Sequence, residues 1–454
     1  HDILPGSSIR WVYEVTELEH AQALEDCSRI RTEAAERMMA ADPGALTVIN
    51  TLNVLHDREI RLPEDWEGGL QDETGNEVPV QQESDGTKVA QLSLEPQAIR
   101  TLRRGEGKSM AQPIQSLVLE NDLVRYEFNE HGQLTRVQDK EMQVEMLASG
   151  ALGNVFTLYE DRPYNWDAWE VDITYEEMVI ETAKGQGWTS LGRGPVRQGL
   201  RFELSVGSSR ILQKTTLANN SKALEFESEV DWQECHRMLR TAFPVNVRTD
   251  SATFDIQYGN VKRPTHRNTS WDMARFEVAA QKYVDLSDHD KGVALLNDCK
   301  YGHKVLENVI DLNLLRAPTY PDPDADQGEH RFCYVLYPHC NDFLQSDVIE
   351  KAHQLNQAPI LFPGKSQSEL KPPVIVQGAG IGLEVLKRAE KEKCWVVRMV
   401  ERRGRTSKAM VELTDSRCHL QETDLMEWND AEKLLSGPIE LDFKPFQIRT
   451  FKIK

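Results

Sequence analysis

The chain has 454 residues, 73 of them acidic against 53 basic, and a formal net charge of -20 at pH 7. That balance excludes a nucleic-acid backbone as partner, because phosphates are repelled and no basic stripe with interleaved aromatics compensates; a neutral, hydroxyl-rich ligand such as a sugar is compatible with it. With 39% hydrophobic and 28% charged residues and no apolar run of spanning length, the composition fits a soluble globular protein of roughly two to four domains and excludes a membrane-spanning one.

The first eight residues, His1-Asp2-Ile3-Leu4-Pro5-Gly6-Ser7-Ser8, look most like chemistry. An imidazole beside a carboxylate offers a metal ligand and a sugar-hydroxyl acceptor together, and Pro-Gly turns the backbone sharply enough to keep both in one loop. On residues alone, an ordinary loop histidine is the competing reading. A short apolar-aromatic segment, 9–15, leaves the loop. Thr16 and Glu19 then have capping-box spacing, and Leu18, Ala21, Leu24, Cys27, Ala34 and Met38 recur at helical spacing. This predicts one amphipathic helix, stopped by Asp42-Pro43-Gly44, that belongs to a helical bundle.

From Ala45 the period changes to two. Strands are expected around Leu46 to Leu55 and in 78–94, turns in 64–76, and a polar linker in 103–112. Val124, Tyr126 and Phe128 alternate with charged residues before Asn129-Glu130-His131-Gly132, which predicts a hairpin into 133–137. Turn-separated strands continue to about Phe362 without a competing helical period, the signature of a large antiparallel sandwich. After a linker, 363–373, runs at 394–400 and 409–413 joined by a turn containing Arg402-Arg403-Gly404-Arg405, with a closing run at 446–451, predict a smaller sandwich. The fold class expected is mainly β: an N-terminal helical-bundle segment followed by several antiparallel β-sandwich domains. The expected division is 1–44, 45–108, 109–370 and 371–454.

Two motifs fail on inspection. Gly378-Ala379-Gly380-Ile381-Gly382 has the wrong spacing for a dinucleotide loop, since the third glycine falls at Leu383, and reads as a strand connection. Asp322, Asp324 and Asp326 alternate as an EF-hand loop begins, but Gln327 stands where glycine is needed and Cys333 where the bidentate glutamate is needed. The stretch Tyr164 to Asp172 is more suggestive. Trp166 and Trp169 can stack on sugar rings while Asp167 accepts from hydroxyls, with a buried core pair as the alternative. The polar loop 261–272, with His266 and Trp271, caps a sheet, binds a ligand, or does both. Seven scattered cysteines without a CxxC pair suggest neither a disulfide framework nor a zinc ribbon, and point to a reducing, cytoplasmic setting. The chain opens with His rather than Met, so a missing signal peptide carries no targeting argument.

The opening His-Asp loop, the string 261–276, Leu295-Leu296-Asn297-Asp298-Cys299-Lys300-Tyr301-Gly302-His303, and Leu314-Leu315-Arg316-Ala317-Pro318-Thr319-Tyr320-Pro321-Asp322-Pro323 together resemble the family 38 glycoside hydrolases, in their cytosolic, vacuolar and bacterial α-mannosidase branch. The resemblance implies a zinc-dependent retaining hydrolase of terminal α-linked mannose, whose catalytic α/β barrel precedes a helical bundle and β-sandwiches. This chain then corresponds to the part from the last zinc ligand onward. His1 matches the zinc-ligand histidine, and Asp2 is implied as a sugar-hydroxyl acceptor. A retaining glycosidase needs a nucleophile and an acid/base carboxyl roughly 5 Å apart, and none of the barrel motifs that carry them is present, so no catalytic residue is assigned to this chain. The partners implied are a mannose-containing oligosaccharide and the N-terminal barrel, with no nucleic acid and no membrane; a homo-oligomer is left open. Two alternatives stand beside this reading. One is a non-catalytic carbohydrate-binding sandwich protein. The other takes His1 as a mature N-terminus chelating copper, and it lacks a second imidazole.

Overall fold

The computed structural model describes residues 2–367 and 371–454. The first helix, α1, spans Arg10–Met38. It starts earlier than the capping-box spacing predicts. Ile9 is the N-cap and makes no side-chain cap bond, while the Thr16 hydroxyl donates to the Tyr13 carbonyl inside the helix. Thr16 is thus satisfied by back-bonding and marks no boundary, and the segment 9–15 is too short for its period to have declared itself. Straight-chain residues and the pairs of Arg29 with Asp26 (3.1 Å) and Glu33 (3.0 Å) favour the helix. It ends where expected: Met39–Ala40 already pairs with Lys365–Ser366, and Asp42 accepts from the Gly44 N–H in the following turn. Of the whole helix only Ala35 is buried.

The next unit stacks two sheets. In the first, neighbouring strands run Ile360–Pro363, Ala45–Ile49, Ile99–Gly105, Gly69–Gln71, Glu77–Val78; in the second, Ile60–Arg61, Lys88–Ala90, Val80–Gln82, Ser109–Met110. Leu46, Val48, Ile60, Leu70, Val80 and Leu102 fill the space between. Trp66 and Leu70, in the stretch read as turns, are buried in this core. The strand 360–363 arrives from far along the chain to complete the first sheet.

The central unit is built on a nine-stranded and a six-stranded antiparallel sheet. The six-stranded sheet is ordered Val179–Thr182, Val155–Glu160, Arg237–Pro244, Val309–Arg316, Gly302–Leu306, Val278–Ala279. The predicted hairpin forms from Val124–Phe128 and Leu134–Asp139, with Gly132 at φ +68° in its turn. Phe226, Phe243 and Tyr334 pack ring on ring in the core. The buried Tyr334 hydroxyl donates to Asn154 at 2.6 Å, leaving no cost of an unmade bond. Two short α-helices interrupt the strands before Phe362. Helix α2 is Ser270–Ala274 and α3 is Val348–Asn356. The second buries Val348, Ile349 and Ala352 against the sheet, and a nine-residue segment with so many apolar positions is too short to show a helical period.

The last unit pairs a three-stranded sheet (Val374–Gln377, Ser407–Leu413, Ile439–Phe443) with a five-stranded one (Ile381–Arg388, Trp395–Glu401, Ile448–Ile453, Leu420–Thr423, Leu434–Leu435). The runs at 395–401 and 407–413 therefore lie in different sheets, and their connection crosses the sandwich. Buried Glu401 holds that crossing by accepting from the N–H groups of Arg403, Gly404 and Arg405. Gly380 turns the strand connection at φ +74°. Of the expected linker, 368–370 lie outside the described residues. No helix among the described residues is long and apolar enough to cross a membrane.

Candidate functional site

The loop leaving Val155–Glu160 carries the aromatic stretch read from the sequence. The N–H groups of Trp169 and Glu170 both donate to the Trp166 carbonyl, at 2.8 and 3.0 Å, and Trp166 sits at φ +58°. This tight turn sets the two indoles edge to face, 5.9 Å apart, and places Trp169 6.3 Å from the ring of Tyr320. The rings stay open to solvent, with Trp166 60%, Trp169 40% and Tyr320 58% exposed. A core pair would be covered; these rings form an exposed aromatic patch.

The patch is held from below. Arg316, at the end of a sheet strand, donates to Asp161 at 2.6 Å and to the carbonyls of Asp167 (3.1 Å) and Glu170 (2.8 Å). Burial pushes the Asp161 carboxyl up, against the pull of Arg316. Asp167 accepts from the Thr319 N–H at 2.6 Å and its hydroxyl at 3.3 Å, with His236 Nδ1 3.6 Å away. The other ring nitrogen of His236 lies 3.0 Å from the Thr319 hydroxyl. Asp167 thus ties the Trp loop to the loop of Tyr320. Sequence reasoning did not find His236 or give Thr319 and Arg316 a role, because their partners lie 83 to 155 residues away.

The segment that follows the opening loop reaches the same region. His1 lies outside the described residues. The Ser7 N–H donates to the Asp2 carbonyl at 2.9 Å and the Gly6 N–H to that of Ile3 at 3.0 Å, with Gly6 at φ +71°. Directly after the loop, the Arg10 guanidinium pairs with Asp324, four residues past Tyr320. The first residue of α1 and the aromatic patch are therefore both tethered to residues 319–324. The loop after strand Gly259–Pro264 joins them less directly: Arg267 grips Glu176 through two bonds, 2.6 and 2.7 Å, just beyond the Trp loop. Thr269 and Asp272 form a reciprocal capping box on α2, and Trp271 is exposed. Among the described residues no three His, Cys, Asp or Glu side chains gather closely enough to hold a metal ion.

Two family models match the chain: the glycosyl hydrolases family 38 C-terminal domain over residues 119–324, and the glycosyl hydrolases family 38 C-terminal beta sandwich domain over 380–451. The chain belongs to glycoside hydrolase family 38. The first family 38 match includes Trp166, Asp167, Trp169, His236 and Thr319 to Asp324. Among curated relatives, Alpha-mannosidase 2C1 of Homo sapiens is 33% identical, covering 99% of this chain and 44% of its own length. Alpha-mannosidase G of Dictyostelium discoideum is 28% identical, covering 100% of this chain and 46% of its own. The chain thus spans less than half the length of these family 38 relatives. The crystal structure of an alpha-mannosidase from Enterococcus faecalis V583 superposes with a TM-score of 0.76 at 17% identity, over 98% of this chain and 61% of that one, which shows the shared fold.

Proposed function

We propose that this chain is the C-terminal portion of a zinc-dependent, retaining α-mannosidase that removes terminal α-linked mannose from oligosaccharides. The nucleophile and acid/base lie in the region of the relatives that the chain does not cover. The observation that carries the reading is the exposed Trp166, Trp169 and Tyr320 cluster, braced by Asp167, Thr319 and Arg316 and tethered with the first residue of α1 to one segment. In the proposal the indoles stack on apolar sugar faces, and Asp2 and Asp167 accept from hydroxyls. Asp167 keeps lone pairs beyond those used by Thr319. The described residues do not by themselves make a metal site, so the zinc rests on His1 and on ligands from the uncovered region. When bound, it supplies Lewis-acid polarisation and orients the sugar. A cytoplasmic setting, and the division 1–44, 45–108, 109–370 and 371–454, belong to the same proposal; separate hydrophobic cores support three β units, with strand Ile360–Pro363 in the sheet of the first.

The test is complementation with a chromogenic α-mannoside. Hydrolysis is expected when the chain is joined to the upstream region, lost on chelation and lost in His1→Ala. Full activity of that variant removes the zinc role, and chelator-sensitive hydrolysis by the chain alone overturns the division of the site. Mannoside binding without hydrolysis in the joined protein favours the non-catalytic carbohydrate-binding reading.

A further inference from the structure

A small cleft is lined by the loop 264–276 and the strands beside it. Arg263, Arg267, Arg275 and Lys304 line it, with His266 and Asp272. In a chain with twenty more acidic than basic residues, four cations around one small space is a local reversal of sign. Two of them are compensated. Glu176 accepts from Arg267 at 2.6 and 2.7 Å and from Lys304 at 3.1 Å; Asp311, 3.4 Å from Lys304, is committed to Arg240 at 2.7 Å. Asp272 is taken up by Thr269 at 2.8 and 3.1 Å and stands 3.7 Å from His266.

Arg263 and Arg275 have no carboxylate partner among the described residues. The Arg263 guanidinium lies over the ring of Phe254 at 4.8 Å, and its Nη1 is buried without a hydrogen-bond partner. Burial and the neighbouring Arg275 both lower the pKa of Arg263 from its ordinary value. A guanidinium costs free energy to bury unpaired, and an anion relieves that cost. The cleft measures about 30 Å³, room for roughly two water molecules. Only one or two oxygens of an anion fit inside it, so the anion seats at its mouth.

We propose that this cleft binds a small oxyanion of the phosphate class, held by Arg263 and Arg275 with His266 at its rim. Counting Arg240 with the four cations, against Glu176, Asp272, Asp311 and Glu277, one positive charge is left over. A phosphate, at about −1.5 to −2 at neutral pH, offers an oxygen to each of the two unpaired guanidiniums. The site stands independently of the mannosidase reading, because it rests on charge, burial and space alone.

The experiment is calorimetric titration of the purified protein with sodium phosphate, against sodium chloride at matched ionic strength. One saturable site is expected, weakened roughly tenfold or more by Arg275→Gln and by Arg263→Gln, each of which removes a charge-assisted contact. Arg275 is exposed, so its variant should unfold at the wild-type temperature in chloride and decides the matter even if Arg263→Gln disturbs the strand. Glycerol 3-phosphate distinguishes the two sources of the head group: tighter binding than inorganic phosphate marks part of a larger molecule, equal binding a free ion, and both support the site. Heats no different from chloride, or phosphate affinity unchanged in Arg275→Gln, overturn it.

Discussion

At the scale of single residues, the Arg197 guanidinium meets Glu83 through two bonds of 2.8 Å and Glu59 at 3.1 Å, with all three side chains buried. The fork joins the small two-sheet unit to the nine-stranded sheet. Removing one partner leaves an uncompensated buried charge, so Glu83→Ala is expected to cost about 3 to 5 kcal/mol in urea unfolding. At the proposed sugar site, Trp166→Ala in the full-length enzyme should raise KM about tenfold, from the loss of stacking area; KM and kcat both unchanged would make the rings bystanders. The sequence pointed to Trp166, Asp167 and Trp169 because aromatics interleaved with carboxylates are unusual in a strand-rich chain. It could not show that Asp167 is already engaged by Thr319, since that contact spans 152 residues and leaves no local pattern.

At the scale of elements, α1 is a long helix with almost nothing behind it. Trp11, Leu18, Leu24 and Ile30 are exposed, and most helical stability in proteins comes from packing an apolar face. In this chain alone, its amides should exchange with solvent far faster than those of the central strands Leu224–Trp232 and Gly328–Cys340. Ala23→Pro should leave the main unfolding transition within about 1 kcal/mol of wild type, whereas a larger loss would show that the helix is packed in solution. The helix was legible from its spacing, but its start was not, because Thr16 and Glu19 imitate a cap in mid-helix. The alternation in 124–128 settled the first hairpin. No local pattern could reveal that 395–401 and 407–413 belong to opposite sheets: the first pairs with Ile381–Arg388 and Ile448–Ile453, the second with Val374–Gln377 and Ile439–Phe443.

At the scale of the whole molecule, buried histidines decide the response to acid. Burial depresses His56 and His303 to about 4, and His353 well below its usual value. Between pH 6.5 and 4 the unfolded chain takes up protons that these imidazoles refuse, so stability falls as pH falls. His339 works the other way: its bond to Asp285 at 2.7 Å outweighs burial and raises it, giving stability that is full below 6.5 and lost as pH rises through the folded value. His303 alone accounts for about 3 kcal/mol at pH 4. The melting temperature should therefore drop from pH 6.5 to 4.5, with a shallower slope in His303→Gln; a flat wild-type profile would contradict the assignment. The strand Ile360–Pro363 has a consequence in time as well. It closes the sheet begun at Ala45–Ile49, and Thr47 bonds to Gly364 across 317 residues. At about 5 to 20 residues per second, a ribosome spends at least a quarter of a minute between the two strands. The β unit begun at Ala45–Ile49 thus waits with an open sheet edge while the central one is made, and its completion clocks the end of the central unit's synthesis.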